Sequence, residues 1–231
     1  RISSKDDILT TLRRVGPMNL FREKGENIFS HSSVPFDGLR SWSGELLKEG
    51  KVRSVWISED MYVTTEDYPL YNCLHRRQVK HNPGEKAVLD SIASAPKTQS
   101  ELAAALRVPR EGMRDMVRHL ETANEIYRSD IRGEAFFYSR AAVECRPRMD
   151  LAKEAVARYL SYHAPATLED TAYEVGISEP EADEVLRGLI SEEAVIAGRF
   201  VVGEQQQYML AKDYLQLKSK DGGPVFDRET I

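Results

Sequence analysis

Two segments of this sequence match each other without a gap and at a constant offset. Thr98 and Glu101 in the earlier segment fall opposite Thr167 and Asp170 in the later one. A Thr followed three residues later by an acidic residue predicts a capping box at a helix start. Apolar positions continue the match, with Val108, Val117 and Leu120 opposite Ile177, Leu186 and Leu189. The same supersecondary unit is therefore expected at least twice.

Both segments continue into β-branched and aromatic runs that are divided by a Gly-containing turn, which is typical of a hairpin. A helix is predicted before each capping box, from Val88, Leu89 and Ile92 in one copy and from Leu151 to Leu160 in the other. The order helix, helix, helix, hairpin is that of the winged helix-turn-helix. A third, less regular copy is indicated at the N-terminus, where Ser4 can cap a helix and Val55 to Val63 form a hairpin.

These patterns predict an α+β fold, a tandem array of three winged helix-turn-helix units. Polar, Pro-containing segments mark the boundaries near His75–Pro83 and Cys145–Pro147. We therefore expect a degenerate first unit at 1–78, a second at 79–147, a third at 148–218, and a C-terminal arm at 219–231.

Composition and charge limit the function classes. No apolar run approaches the roughly 20 residues that a membrane span requires, and the two cysteines, Cys73 and Cys145, are expected as free thiols in a reducing compartment. The expected location is cytoplasmic or nucleoid-associated, with no cofactor and no metal. The net charge of −5 is unusual for a nucleic-acid-binding protein. It is concentrated at the C-terminal end, because residues 148–231 alone carry −7.

The third helix of the predicted unit at 79–147 is the strongest candidate for nucleic-acid contact, because such a helix commonly enters a groove. Its arginines recur every four residues beside an apolar stripe, and others flank it. The candidate residues are Arg107, Arg110, Arg114 and Arg118, with Arg128 and Arg132 in or beside the wing. The alternative is a solvated helix face, since Glu111, Asp115 and Glu121 lie within helical reach of these arginines.

A basic run in the first linker is a second candidate, because contacts to phosphates need no precise geometry. It comprises Arg76, Arg77 and Lys80, and the alternative is again a solvated segment. The predicted unit at 148–218 differs, since Glu179, Glu181, Asp183 and Glu184 crowd the start of its third helix and would repel phosphate. We interpret that unit as a structural or protein-contact module.

The segment from Ala164 to Tyr208 resembles winged-helix units in the C-terminal half of Lhr-type (large helicase-related) proteins, in its Ala197-Gly198-Arg199-Phe200 turn and the Glu/Gln run after it. The resemblance implies an accessory region of a superfamily 2 helicase. Winged-helix DNA glycosylases of the AlkZ type are similar in their tandem units. Their short Gln-containing catalytic motif has no match that the sequence places, because Gln205-Gln206-Gln207 lies in a predicted wing.

The leading prediction is a nucleic-acid-binding module without catalytic activity of its own, accessory to a helicase, DNA-repair or transcription protein. DNA or RNA would bind through the predicted unit at 79–147. The alternatives are a protein-interaction scaffold, whose partner would bind the acidic unit at 148–218, and a DNA glycosylase whose catalytic carboxylate the sequence does not identify.

Overall fold

The computed structural model describes residues 2–21, 32–131, 134–139, 144–201 and 205–221. The chain divides into two compact units, Arg1–Cys145 and Arg146–Ile231. Within the described residues the fold is mixed α/β, with ten helices and eight strands in small antiparallel sheets. None of these helices is long and apolar enough to cross a bilayer.

The first half of the first compact unit is a helical layer against a two-stranded hairpin. Its elements are α1 (Lys5–Val15), α2 (Phe36–Lys48), β1 (Val52–Trp56), β2 (Asp60–Thr64) and α3 (Tyr68–His75). Ser4 begins α1 with a capping box to Asp7, as the sequence predicts. Ile8, Leu9 and Leu12 are buried in a core shared with α2 and the hairpin, so the amphipathic stripe fixes how α1 packs.

The second half of the first compact unit contains a three-stranded sheet in the order β3-β5-β4. Its elements are α4 (Pro83–Ile92), β3 (Lys97–Thr98), α5 (Gln99–Leu106), α6 (Arg110–Thr122), β4 (Ile126–Ile131) and β5 (Glu134–Ser139). The predicted capping box forms between Thr98 and Glu101 at the start of α5. The predicted stripe of α6 packs against α4 and the sheet, with Met113, Val117 and Leu120 buried and Met116 partly buried.

The second compact unit has its own three-stranded sheet, in the order β6-β8-β7. Its elements are α7 (Arg148–His163), β6 (Ala166–Thr167), α8 (Leu168–Val175), α9 (Glu179–Ser191), β7 (Val195–Gly198), β8 (Gln207–Leu210) and α10 (Ala211–Asp221). Thr167 caps α8 with Asp170, and Leu189 is buried. The six elements from α7 to β8 follow the same order as those from α4 to β5.

Asn124, just after α6, ties the two halves of the first compact unit together. Its side chain accepts a hydrogen bond from the Trp56 amide at 2.7 Å. It also donates to the Trp56 carbonyl at 2.7 Å and to the His75 carbonyl at 3.1 Å. The backbone carbonyl of Asn124 accepts from the buried Asn72 side chain at 3.0 Å. The ends of β1, α3 and α6 therefore meet at one buried amide.

Two expectations from the sequence differ from the structure. Cys73 and Cys145 form a disulfide, with their Cα atoms 5.6 Å apart, so the expectation of free thiols is wrong. The two positions are far apart in sequence, and such a separation gives no sign that the thiols meet. Helices α3 and α10 were not predicted either: α10 follows β8 directly, and α3 follows β2 after a turn of only three residues. The expected C-terminal arm at 219–231 begins inside α10, and residues 222–231 lie outside the described part of the chain.

Candidate nucleic-acid interface

The exposed flank of α6 carries the arginines that the sequence predicts at a nucleic-acid interface. Burial of Met113, Val117 and Leu120 on one side of the helix leaves Arg110, Arg114 and Arg118 exposed on the adjacent flank. Because residues four apart lie one above the other on a helix, the three guanidinium groups form a row along the helix. A row of positive charge of this kind can face the negative charges of a phosphate backbone.

The alternative of a salt-bridged helix face receives little support from the ion pairs of α6. Arg114 approaches Asp115 at 3.9 Å, but both side chains are exposed, and such a pair contributes about 0–1 kcal/mol. Arg110 and Arg118 make no ion pair with any residue that the structure describes. Most of the positive charge on this flank is therefore left uncompensated.

Arg118 lies over an aromatic ring. Its guanidinium carbon is 5.3 Å from the centre of the Trp56 ring at the end of β1, a cation–π contact that leaves the hydrogen-bond donors of the guanidinium unused. The Trp56 backbone is fixed by the Asn124 side chain. The contact therefore orients the Arg118 guanidinium group without neutralising it.

Arg107 stands at the turn between α5 and α6 in a left-handed conformation, with φ 53° and ψ 40°. This conformation is unfavourable for a side chain with a Cβ atom, and glycine is the usual residue there. The position that corresponds to it in the second compact unit is Gly176, at φ 73°. Arg107 is exposed and lies three residues before Arg110, so the chain has an arginine at this position at a cost in backbone energy.

The remaining predicted residues differ in how much of their charge is available. Arg128 approaches Asp60 at 4.0 Å from β4, and Arg132 lies outside the described residues. Arg76 forms a two-pronged ion pair with Glu125, with both donors 3.2 Å from the same carboxylate oxygen. Arg77 and Lys80 are exposed in the linker and make no ion pair within the described part of the chain.

The linker lies beside the end of α6. The Arg77 amide donates to the Ala123 carbonyl at 3.3 Å, which places the basic linker next to the helix that carries the arginine row. Nothing in the sequence predicts that the two basic segments are close, because no periodicity relates a linker to a helix that begins far along the chain.

A cluster of ionisable side chains lies between the start of α4 and the end of α6, and the sequence-based prediction missed it. Glu85 is buried on α4 and contacts His119 of α6, with Oε1 and Nδ1 2.6 Å apart. Burial raises the pKa of the Glu85 carboxyl, but hydrogen bonds from the Asn82 amide and from His119 outweigh it and hold that pKa below its usual value. The Asn82-to-Glu85 spacing, a capping box, was the one available signal.

The third helix of the second compact unit, α9, has the acidic start that the sequence indicates. Glu181 pairs with Arg148, and Asp183 pairs with Arg187 at 2.8 Å. Arg187 corresponds to Arg118 at the same constant offset, so the one arginine of α9 is neutralised where its counterpart on α6 is not. No group of three or more His, Cys, Asp or Glu side chains in the described ranges is arranged to hold a metal ion.

A solved structure of a DNA glycosylase shares the fold over most of the chain. DNA glycosylase AlkZ from Streptomyces sahachiroi superposes with a TM-score of 0.59 at 13% identity, over 77% of this chain and 57% of that one. Two others reach TM-scores of 0.24, too low to inform the fold. The DIP2311 protein of Corynebacterium diphtheriae matches at 19% identity over 55% of this chain and 26% of that one. ScpB from Mycobacterium tuberculosis matches at 16% identity over 61% of this chain and 97% of that one.

The sequence itself matches one family. No curated protein matches it, but the model of the AlkZ-like DNA glycosylase family matches residues 40–225. This match corrects two predictions: the resemblance to Lhr-type helicases is wrong, and so is the leading interpretation of the chain as a helicase accessory module. Both failed because winged-helix-like patterns describe local packing and occur on many unrelated proteins. The chain belongs to the AlkZ-like DNA glycosylase family.

Proposed function

We propose that this chain acts on DNA as a glycosylase, hydrolysing the N-glycosidic bond between a modified base and its deoxyribose. The observation that carries the proposal is the family match over residues 40–225, which includes every element from β1 to α10. The match covers 57% of the length of the Streptomyces enzyme. We propose the activity of that whole enzyme for this chain.

The arginine row on α6, with Arg107 before it, is assigned the contact to DNA phosphates. A glycosylase must hold a duplex while one base leaves the stack, which costs a few kcal/mol. Contacts to phosphates on either side of that base hold the duplex in place and do not depend on its base sequence. The uncompensated charges of Arg110 and Arg118 support this assignment, and Arg77 and Lys80 extend it along the linker.

We also propose that residues 79–147 and 148–218 are winged helix-turn-helix units, with 1–78 a degenerate copy. The shared element order from α4 to β5 and from α7 to β8 supports this, as do the sheet orders β3-β5-β4 and β6-β8-β7. In this arrangement α6 and α9 are the third helices of their units.

The second compact unit is assigned no contact to phosphate. Residues 146–231 carry a net charge of −6, whereas residues 1–145 carry +1. Acidic side chains at the start of α9 stabilise the helix dipole there and repel a phosphate. A protein partner for this acidic surface stays a prediction.

A base-release assay tests the proposal. The protein is incubated with duplexes that each carry one uracil, 8-oxoguanine, 7-methylguanine or 3-methyladenine, and abasic sites are revealed by alkaline cleavage while free base is measured by mass spectrometry. We expect release from at least one duplex and none from the unmodified control. Tight binding to every duplex with no release from any would contradict a glycosylase.

A further inference from the structure

One aromatic side chain lies beside the arginine row of α6. Trp56 is the last residue of β1, it is half-buried, and the centre of its ring lies 5.3 Å from the guanidinium carbon of Arg118. No other aromatic ring or cation of the described residues contacts this indole. Proteins bind unpaired nucleotides with this combination, because cations hold the phosphates while an aromatic ring stacks on a base.

The edge of the Trp56 ring that carries Nε1 reaches the solvent. Both hydrogen bonds of Trp56 to described residues are made by its backbone, so Nε1 donates to none of them. Nε1 is also not one of the buried polar atoms that lack a partner within the described ranges. A tryptophan buried for packing usually finds an acceptor for its N–H. The indole of Trp56 is therefore accessible to a ligand that approaches from the solvent.

The backbone of Trp56 is held in place by a buried side chain. The Asn124 amide accepts a hydrogen bond from the Trp56 N–H and donates one to the Trp56 carbonyl, both at 2.7 Å. Asn124 lies two residues after α6, so the indole and the arginine row are attached to the same point of the core. A group that is already fixed loses less conformational entropy when a ligand binds to it.

An accessible indole at this position suits an unpaired base better than a paired one. In an intact duplex, neighbouring bases cover both faces of every base, so an indole at the surface has no face on which to stack. A glycosylase takes one base out of this stack, which costs free energy because stacking and pairing are lost. An aromatic ring beside the bound backbone can replace part of the stacking that the displaced base has lost.

We propose that Trp56 is the residue on which a base displaced from the duplex stacks, while Arg118 binds a phosphate next to it. The inference rests on the proposed function, and it gives neither residue a part in breaking the glycosidic bond. Every base has a π-face, so stacking tolerates any base. Trp56 therefore lowers the cost of displacing a base and does not select which modified base is removed.

The fluorescence of Trp56 tests the proposal, because stacking on a nucleobase quenches the emission of an indole. The chain contains two tryptophans, so Trp42→Phe leaves Trp56 as the single reporter. We expect the emission to fall strongly when a duplex with one unpaired, bulged base is added. A fully paired duplex of the same length should bind but quench much less. Equal quenching by the two duplexes would overturn the inference.

Affinities measured by anisotropy separate stacking from phosphate contact. Trp56→Leu should weaken binding of the bulged duplex by about 10–100-fold, the contribution of one base–aromatic stack. It should leave the affinity for the paired duplex and the salt slope unchanged, because stacking neutralises no phosphate. Trp56→Phe keeps a ring and should restore most of the lost affinity. Arg118→Ala is the matched control, and it should weaken both complexes and lower the salt slope by about one unit.

The outcomes also separate this inference from the glycosylase function. If Trp56→Leu weakened both complexes equally, Trp56 would act only by orienting Arg118, and the inference would be wrong while base release could still occur. If the wild-type protein showed the selective quenching but released no base from any duplex, the stacking site would stand and the glycosylase function would not. Thermal midpoints of the variants near that of the wild-type protein show that each is folded.

Discussion

Arg107 and Glu193 share an unfavourable backbone conformation but differ in what their side chains can contact. Their φ values are 53° and 57°, both in the left-handed region. Arg107 stands at the turn before α6, beside the arginine row, whereas Glu193 is exposed after α9 in the acidic unit. The proposed interface therefore gives a reason for a strained Arg107 that does not apply to Glu193.

Arg107→Gly should raise the free energy of unfolding by about 1 kcal/mol, because glycine has no Cβ to strain in this region. The same change should weaken DNA binding and reduce the slope of log affinity against log salt by about one unit. Glu193→Gly is the matched control and should stabilise the protein similarly without altering DNA binding. If Arg107→Gly left affinity and salt slope unchanged, Arg107 would not contact phosphate.

Asn124 combines a left-handed conformation, at φ 57°, with three side-chain hydrogen bonds. Asn124→Gly keeps the backbone preference and removes only the side chain. It leaves the Trp56 amide and two carbonyls without these partners, so we expect a loss of about 2–4 kcal/mol in the free energy of unfolding. Denaturant titration measures the loss. An unchanged free energy of unfolding would show that water replaces the amide.

At the scale of elements, α6 and α9 are counterparts with opposite surfaces. Both are 13-residue helices with buried apolar stripes. The arginines of α6 are largely uncompensated, whereas the Arg187 side chain of α9 pairs with Asp183. Packing therefore selects the same buried positions in both helices and leaves the exposed flanks free to differ.

Arg114→Ala with Arg118→Ala should weaken DNA binding about uniformly across sequences and lower the salt slope by about two units. The free energy of unfolding should fall by only about 0.5–1 kcal/mol, which is the contribution of the Arg118–Trp56 contact at an exposed site. Fluorescence anisotropy at several salt concentrations measures the affinity. Arg187→Ala should change neither slope nor affinity. A double variant with wild-type binding would move the interface to Arg76, Arg77 and Lys80.

The elements that could be predicted from sequence are those whose causes are local. The caps at Ser4, Thr98 and Thr167 need residues only three apart, and the stripe on α6 needs only helical spacing. The Glu85–His119 contact joins residues 34 apart, and Asn124 reaches Trp56 across 68. Such contacts depend on how the elements pack, and no periodicity in the sequence encodes that packing. The cluster of ionisable side chains between α4 and α6 could therefore not be predicted.

Across the whole molecule, the two compact units differ in net charge. The stability of the first unit depends on several carboxyl groups that remain ionised in the folded state. Backbone and side-chain hydrogen bonds from Ser3 lower the pKa of Asp7 to about 2. The hydrogen bond from Lys5 lowers the pKa of Glu49 to about 2, and Arg13 lowers that of Glu66. A carboxyl whose pKa is lower in the folded state stabilises the fold above its unfolded pKa, and this contribution is lost on acidification.

We therefore expect the free energy of unfolding of the first compact unit to fall between pH about 4.5 and about 2, the range between the unfolded and folded pKa values of Asp7 and Glu49. Urea titration at pH 7, 4 and 3 measures it. Asp7→Asn should flatten the decline, because the titrating group at the α1 cap is gone. Equal stability at pH 7 and pH 3 would contradict these shifts.

The disulfide between Cys73 and Cys145 acts on the stability of the first compact unit as a whole. It joins the end of α3 to the segment after β5, and the loop that it closes includes every element from α4 to β5. Closing a long loop restricts the unfolded chain, and such a bond typically adds about 2–4 kcal/mol. The bond therefore stabilises the whole unit and not only α3 and β5, the elements nearest the sulfur atoms.

Cys73→Ser with Cys145→Ser should lower the thermal midpoint of the first compact unit by roughly 5–15 °C, because the unfolded chain regains the freedom that the bond removes. Differential scanning calorimetry of the full chain, with and without a phosphine reductant, measures the shift. The reductant should lower the midpoint of the wild-type protein towards that of the double variant and leave the double variant itself unchanged. Equal midpoints for all four samples would show that the bond is absent in solution or that it does not constrain the unfolded chain.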